Sequence, residues 1–446
     1  MAQINQKVPT IRTHEGAPAK RINSEEQLRR LVMASLLWEK QFYIDGVEHA
    51  QLVKQAVENA DPAVVAQIAI EAREQGKLRH MPLLLARELA RTGSLKAETL
   101  ERIIQRADEL SEFMALYWQD GKQPIAKQVK KGLASAFRKF DEYALAKYNR
   151  DKSVKLRDVM FMVRPKPKDD EQAALWKRLA EDKLQTPDTW EVALSSGADK
   201  RETWNRLITE RKLGGLATLR NLRNMIYAGV SRPTIREAIA QANYNRVLPF
   251  RFIAAARYAE AFEPELEAKM FEVTEGMPKL TGETIVLADH SGSMHEALSS
   301  KSDMRRWDAA AALAMIAREV CENVRVFVFS GNGWGRESPL GTTTEVAPRR
   351  GFALRDAMTD AMGWGGTDLG GAVRYMNSLG YDRLIVISDE QSATPVPDPV
   401  GRAYMINVAA FKNGVGYGKW LHADGFSENV FAFMEEYERS YGPTAR

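Results

Sequence analysis

Apolar residues recur at helical spacing through roughly the first 275 positions, then give way to unbroken apolar runs that alternate with helix-period stretches. Asp61-Pro62 marks a helix start, with Asp as cap and Pro at the first position, where a missing N–H costs nothing. Val64, Val65, Ile68 and Ala72 follow on one face, and Gly76 suits a left-handed stop. Comparable units are expected over residues 25–38, 47–59, 83–91, 97–110, 125–140, 173–184 and 236–242, with short polar or Gly/Pro joins and no convincing strand. Many medium helices without an exact repeat predict stacked helix pairs, an irregular α-solenoid.

After Met277-Pro278 the period changes. Strands are expected over 284–288, 324–329, 383–388 and 404–409, and helices over 307–321, 352–362, 369–379 and 427–437. Val/Ile/Leu runs between helices are the mark of a parallel sheet covered on both faces, so the fold class is α + α/β. The expected division is an extension over 1–20, a helical domain over 21–276 and an α/β domain over 277–446. The turn Gly331-Asn332-Gly333-Trp334-Gly335 is read first as a loop whose Trp folds onto the sheet edge, and second as a partner contact.

Composition alters this picture little: 44% hydrophobic and 27% charged residues are ordinary for a globular protein. The single cysteine, Cys321, excludes an internal disulfide framework and fits a reducing cytoplasm; it is expected to close the 307–321 helix as a buried small group. No stretch approaches a membrane span and no apolar leader segment is visible over 1–20. Charge is more informative, because the net +4 is unevenly spread. Residues 1–276 carry 46 Lys+Arg against 38 Asp+Glu, and residues 277–446 carry 17 against 21. The basic half is suited to a polyanion and the acidic half to a cation.

In the acidic half, Asp289-His290-Ser291-Gly292-Ser293 follows the apolar run 284–288, Gly365-Gly366-Thr367-Asp368 precedes a helix, and Ser388-Asp389-Glu390 ends a strand. Ligands of such sheets gather at the carboxyl ends of strands. Asp289, Ser291, Ser293, Thr367 and Asp389 would therefore offer hydroxyl and carboxylate oxygens without thiolate or imidazole, a set for Mg²⁺ first, then Mn²⁺ or Ca²⁺. Asp-Ser-Gly clusters are also ordinary turn chemistry, and that reading competes. His290 should point away from Asp289 on extended chain and is read as a bystander.

In the basic half, residues 113–157 carry 11 Lys+Arg against 4 acidic residues. Lys131, Arg138 and Lys139 share a helix side, Lys130 lies close by, and Lys147 sits among Tyr143 and Tyr148. Cations interleaved with aromatics can grip phosphates and stack bases; a solvated helix face would look the same. Further on, Leu216, Leu219, Leu222 and Met225 are expected to form a buried stripe, with Arg220, Asn221, Arg223 and Asn224 projecting as forked or mixed hydrogen-bonding groups. Hydrogen bonding between helices is the competing use of those asparagines.

The oxygen cluster resembles the metal-ion-dependent adhesion site of a von Willebrand A domain. There two serines and a threonine, helped by aspartates, hold a divalent cation that keeps one position open for a partner's acidic group. The resemblance implies Asp289, Ser291, Ser293, Thr367 and Asp389 as ligands. Leu219-Arg220-Asn221-Leu222-Arg223-Asn224-Met225 is similar to the signature of the TROVE module, as are Arg73-Glu74-Gln75-Gly76-Lys77, Leu194-Ser195-Ser196-Gly197-Ala198-Asp199-Lys200 and Val247-Leu248-Pro249-Phe250-Arg251. TROVE followed by an A domain is the order of the Ro ribonucleoprotein family, bacterial members included.

That resemblance implies HEAT-like repeats closed into a monomeric ring by a Rossmann-like A domain. It implies a basic outer surface for small noncoding Y RNA, with Lys130, Lys131, Arg138, Lys139 and Lys147 in the matching region. A central hole would take single-stranded 3′ ends of misfolded or damaged RNA, with the helix of Arg220, Asn221, Arg223 and Asn224 as its matching stretch. The implied role is RNA quality control without catalysis, beside an exoribonuclease such as polynucleotide phosphorylase. Two other classes stand against it. A metal-dependent RNA hydrolase would need clustered carboxylates, and a protein-binding scaffold acting through the A domain would need no RNA affinity.

Overall fold

The computed structural model describes residues 11–12, 18–19, 28–29, 31–32, 46–74, 78–149, 153–195, 199–245, 247, 249–277, 279–298, 304–331, 343–409, 415, 419–424, 430–431, 434–435 and 438. The helices expected over 25–38 and 427–437 fall largely outside these residues, and Gly76, Leu248, the stretch 196–198 and the turn around Trp334 wholly so. Residues 51–203 form one compact unit; residues 204–446, with the segment up to 50, form the other. No helix among the described residues is long and apolar enough to cross a membrane.

Before the sheet the chain runs through α1 (Gly46–Glu58), α2 (Pro62–Glu74), α3 (His80–Arg91), α4 (Ala97–Ile103), α5 (Ala107–Tyr117), α6 (Lys127–Phe137), α7 (Glu142–Tyr148), α8 (Leu156–Val163) and α9 (Asp170–Ala180). It continues with α10 (Trp190–Ser195), α11 (Lys200–Thr209), α12 (Gly215–Tyr227), α13 (Arg232–Gln241), α14 (Phe250–Ala256) and α15 (Glu263–Glu275). Asp61 caps α2 as expected, its carboxylate accepting from Ala63 N at 2.7 Å. In the first unit helices pack on neighbours one to three places along the chain: α2 on α3 and α4, α3 on α5, α4 on α6, and both α5 and α6 on α8. That is the contact pattern of a stacked solenoid.

Two expectations change here. The helix expected over 97–110 is two, because the Glu109 carboxylate accepts from Gln105 N at 2.8 Å and Arg106 N at 3.0 Å. Those bonds cap a new helix and end the old one. Early strands are also present, a two-residue antiparallel pair, β1 (Ile11–Arg12) with β2 (Pro18–Ala19).

The sheet comprises β3 (Leu280–Asp289), β4 (Cys321–Phe329), β5 (Thr343–Glu345), β6 (Arg383–Ser388), β7 (Arg402–Asn407) and β8 (Leu421–Asp424), in the order β5-β4-β3-β6-β7-β8. Only the β4–β5 pairing is antiparallel. Helices α16 (Arg306–Val320), α17 (Gly351–Asp360) and α18 (Leu369–Leu379) complete the described α/β part. Cys321 opens β4 instead of closing a helix, since α16 ends at Val320 without an intervening loop. The edge strands β5 and β8 escaped the sequence reading because they are short and carry polar residues such as Thr343, Thr344, His422 and Asp424.

One sheet face buries Ile285, Leu287, Phe327, Leu384, Val386 and Met405 against Leu369, Val373 and Met376 of α18. Successive strand residues alternate sides, and α16 packs on β3, β4 and β6. Its run Ala309–Ala312, with Ala314 and Ala317, is buried throughout. Small side chains let α16 sit between the sheet and α14, α15 and α17. The last helices before the sheet are thus bound to α16 and α17. Glu267 on α15 accepts from Phe352 N at 2.7 Å, Arg355 on α17 reaches Glu263 at 2.8 Å, and Arg257 pairs with Asp308.

Candidate functional site

β3 lies where the chain order reverses, with β4 on one side and β6 on the other, which opens a crevice at the strands' carboxyl ends. β3 delivers Asp289 there, a 3₁₀ turn (Gly292–His295) delivers Ser293, and β6 ends one residue before Asp389. The loop before α18 crosses them: Gly292 N donates to Gly365 O at 2.9 Å, Gly366 N to Gly331 O at 3.0 Å, and Ala393 N to Thr367 O at 3.0 Å. A Cβ on Gly365 would lie 2.2 Å from Gly331 O, so glycine is what lets these two backbones meet. All five residues expected around a cation therefore come from segments that converge on this crevice.

Asp289, Ser291 and Asp389 are fully buried, whereas Ser293 and Thr367 are half-buried. Asp289 accepts from Ser291 N at 2.8 Å and from Ser388 Oγ at 2.6 Å. The Ser291 and Ser293 hydroxyls lie 3.2 Å apart. Burial, and then the Asp389 charge beside it, pushes the Asp289 carboxyl up to about 7. Burial also raises Asp389, against a hydrogen bond from Ser293 and the charge of Arg306. Two buried carboxylates with hydroxyls around them and one arginine nearby lack countercharge. A hard divalent ion would supply it, so the donor set fits the group.

Sequence reasoning missed three supports of this site. Arg306, buried at the start of α16, reaches Asp389 at 3.4 Å and donates to Ser293 O at 3.2 Å. Ser388 orients Asp289. Asp368 caps α18 through Gly371 N at 2.9 Å and accepts from Thr394 Oγ1 at 2.6 Å, which fixes the turn carrying Thr367. Only Asp368 had a signal, as Asp directly before a helix-period run. His290 is enclosed by aromatic rings, Trp364 at 3.8 Å and Trp307 at 4.3 Å, and burial, then the neighbouring His295, pushes its pKa down to about 4.

In the first unit Lys130, Lys131 and Arg138 are exposed along α6 and its end. Lys139 is otherwise engaged: its ammonium donates to Glu101 O and, at 3.1 Å, to Ile104 O at the end of α4, and burial lowers its pKa. Its ammonium caps a helix end while the residue stays exposed. Lys147 lies over the rings of Tyr143 at 5.7 Å and Tyr148 at 5.9 Å, with Tyr143 about half exposed.

In the second unit α12 exposes Arg220, Arg223, Asn224 and Tyr227, the last 80% exposed. Asn221 is a correction: it is 2% exposed, donates to Ala217 O at 2.9 Å and accepts from Asn224 Nδ2 at 2.9 Å, so it holds Asn224 in place. Leu216 is another, 40% exposed while Leu219, Leu222 and Met225 are buried. Steps of three fall short of a 3.6-residue turn, so such a stripe drifts around the helix and Leu216 rotates outward. A Cβ on Gly215 would lie 2.5 Å from Asn243 O and from the Tyr244 ring, which explains the glycine at the start of this helix.

Comparison with known proteins follows the same lines. The TROVE domain family matches residues 175–313, a span that crosses from the late helices into α16. The telomerase protein component 1 of Rattus norvegicus and that of Mus musculus are each 33% identical over 93 residues, 20% of this chain. The matched stretch spans about 4% of the length of those relatives. The crystal structure of the Deinococcus radiodurans RO (RSR) protein superposes with a TM-score of 0.62 at 18% identity, covering 94% of this chain and 100% of that one. At that identity the likeness speaks for the fold, helices first and a mostly parallel sheet after them. Residues 175–313 thus match the TROVE domain family, and the chain shares the fold of the Deinococcus radiodurans RO protein.

Proposed function

We propose that this protein binds RNA without transforming it, holding small structured Y RNA on the surface of Lys130, Lys131, Arg138 and Lys147. A single-stranded 3′ end of a misfolded RNA is read by Arg220, Arg223 and Asn224, in the hole that the Ro resemblance implies. The carrying observation is that α6 and α12 present exposed cations and contain no acidic residue. Such faces neutralise phosphates, so affinity is largely electrostatic, steeply salt-dependent and tolerant of sequence. The α/β part acts as an A domain. When Mg²⁺ is held by Asp289, Ser291, Ser293, Thr367 and Asp389, it supplies an open coordination position for a partner's carboxylate. An exoribonuclease of the polynucleotide phosphorylase kind, in the cytoplasm, is the enzyme expected to consume the captured RNA.

A two-metal hydrolase needs clustered carboxylates, whereas this crevice sets the hydroxyls of Ser291, Ser293 and Thr367 beside Asp289 and Asp389. Purified protein incubated with labelled hairpin and single-stranded RNA in Mg²⁺ tests the proposal. Retention on a filter with the RNA intact is the expected result. Cleavage abolished by Asp289→Ala would replace binding with hydrolysis, and no retention at low salt would leave the scaffold class.

A further inference from the structure

Between α12 and α14 lies a hollow of about 200 Å³ walled by Leu219, Arg220, Arg223, Asn224, Arg251 and Tyr258. Three guanidinium groups line it and, among the described residues, no carboxylate does. The guanidinium of Arg223 lies over the Tyr258 ring at 4.8 Å, and that of Arg251 over the Phe250 ring at 4.4 Å. Stacking of this kind orients the planar fork before a ligand arrives. Asn224 is fixed by the buried Asn221 behind it.

We infer that this hollow receives a terminal phosphomonoester of a single-stranded RNA, an inference that rests on the RNA-binding reading and names the group this site selects. Size favours an end over a run of strand, because pockets that enclose a drug-sized ligand have about 300–1,000 Å³. Charge favours it as well. A phosphodiester inside a strand brings one negative charge, whereas a phosphomonoester at neutral pH brings about 1.5 to 2 and three acceptor oxygens. Three arginines in the lining match the second, and forked guanidiniums bind it with paired hydrogen bonds. Tyr227, one turn beyond Arg223 and Asn224 and largely exposed, offers a ring for the base that follows.

The test uses the full chain and one short single-stranded oligoribonucleotide in three forms: 5′-phosphorylated, 3′-phosphorylated, and hydroxyl at both ends. Fluorescence anisotropy reads affinity. One phosphorylated form should bind about tenfold more tightly than the hydroxyl form, the scale of one added charge-assisted contact, and which form does so identifies the end. Arg251→Gln should bring that form down to the hydroxyl form's affinity. Arg220→Gln, an exposed position on α12, should do the same and decides the matter should the Arg251 variant fail to fold. Equal binding of all three forms, or a preference that survives both variants, overturns the phosphate site while leaving RNA binding intact. No binding of any form overturns the RNA reading itself.

Discussion

Substituting glutamine at Lys130, Lys131 and Arg138 together should flatten the salt dependence of RNA binding by a calculable amount. All three side chains are exposed on or at the end of α6, and Lys139 is left out because its ammonium is bound to the carbonyls that end α4. Each phosphate neutralised on a duplex contributes about 0.9 to the slope of log affinity against log salt, so three contacts contribute about 2.7. Between about 50 and about 200 mM salt, the wild-type advantage over the variant should therefore shrink about 40-fold. Filter binding of a structured hairpin RNA across a salt series measures this, with circular dichroism confirming that the variant is folded. Lys139→Gln is the internal control and should lower the melting temperature while keeping the slope. An unchanged slope in the triple variant, or a slope flattened as much by Lys139→Gln alone, would refute the assignment of α6 as the phosphate-binding face.

Other outcomes follow from other parts of the chain. Ser291→Ala with Ser293→Ala should remove the Mg²⁺-dependent rise in melting temperature and leave the RNA salt slope as it was; a persisting Mg²⁺ effect would place the cation elsewhere. Arg73 and Glu109 form a buried pair at 2.7 Å, so Glu109→Ala strands a buried guanidinium and should cost about 3 kcal/mol or more in urea unfolding. Loss of under about 1 kcal/mol would mean the pair is dispensable. Burial works to raise Glu438, yet the hydrogen bond and charge of Arg383, with Tyr404 and Arg402, hold its pKa below the ordinary 4.5. A depressed carboxylate stabilises the fold above its unfolded pKa and loses that contribution as pH falls through the folded value. Stability should drop on acidification below about pH 4.5, and Glu438→Gln should blunt that drop; identical pH profiles would exclude the group.

The sequence carried the architecture because periodicity is a local property. The helix period up to α15, the apolar runs of β3 and β6, and the bounds of α18 and β6 can all be read from neighbours in the chain. It also carried the oxygen-rich motif, since Asp289, Ser291 and Ser293 lie together and end a buried strand. What local pattern could not carry is any decision made by a distant partner. Glu109 splits a helix by bonding backbone it happens to reach. Asn221 looks like a surface donor until the α12 backbone claims it, and the exposed Lys139 turns its ammonium to the carbonyls that end α4. Arg306 joins the cluster of Asp389 and Ser293 from the next helix, and Arg251 and Tyr258 join α12 from α14 and the residues just after it, with no spacing to announce them. A side chain's role depends on which acceptors and charges lie within a few ångströms, and those are set by how helices and strands pack, not by their order along the chain.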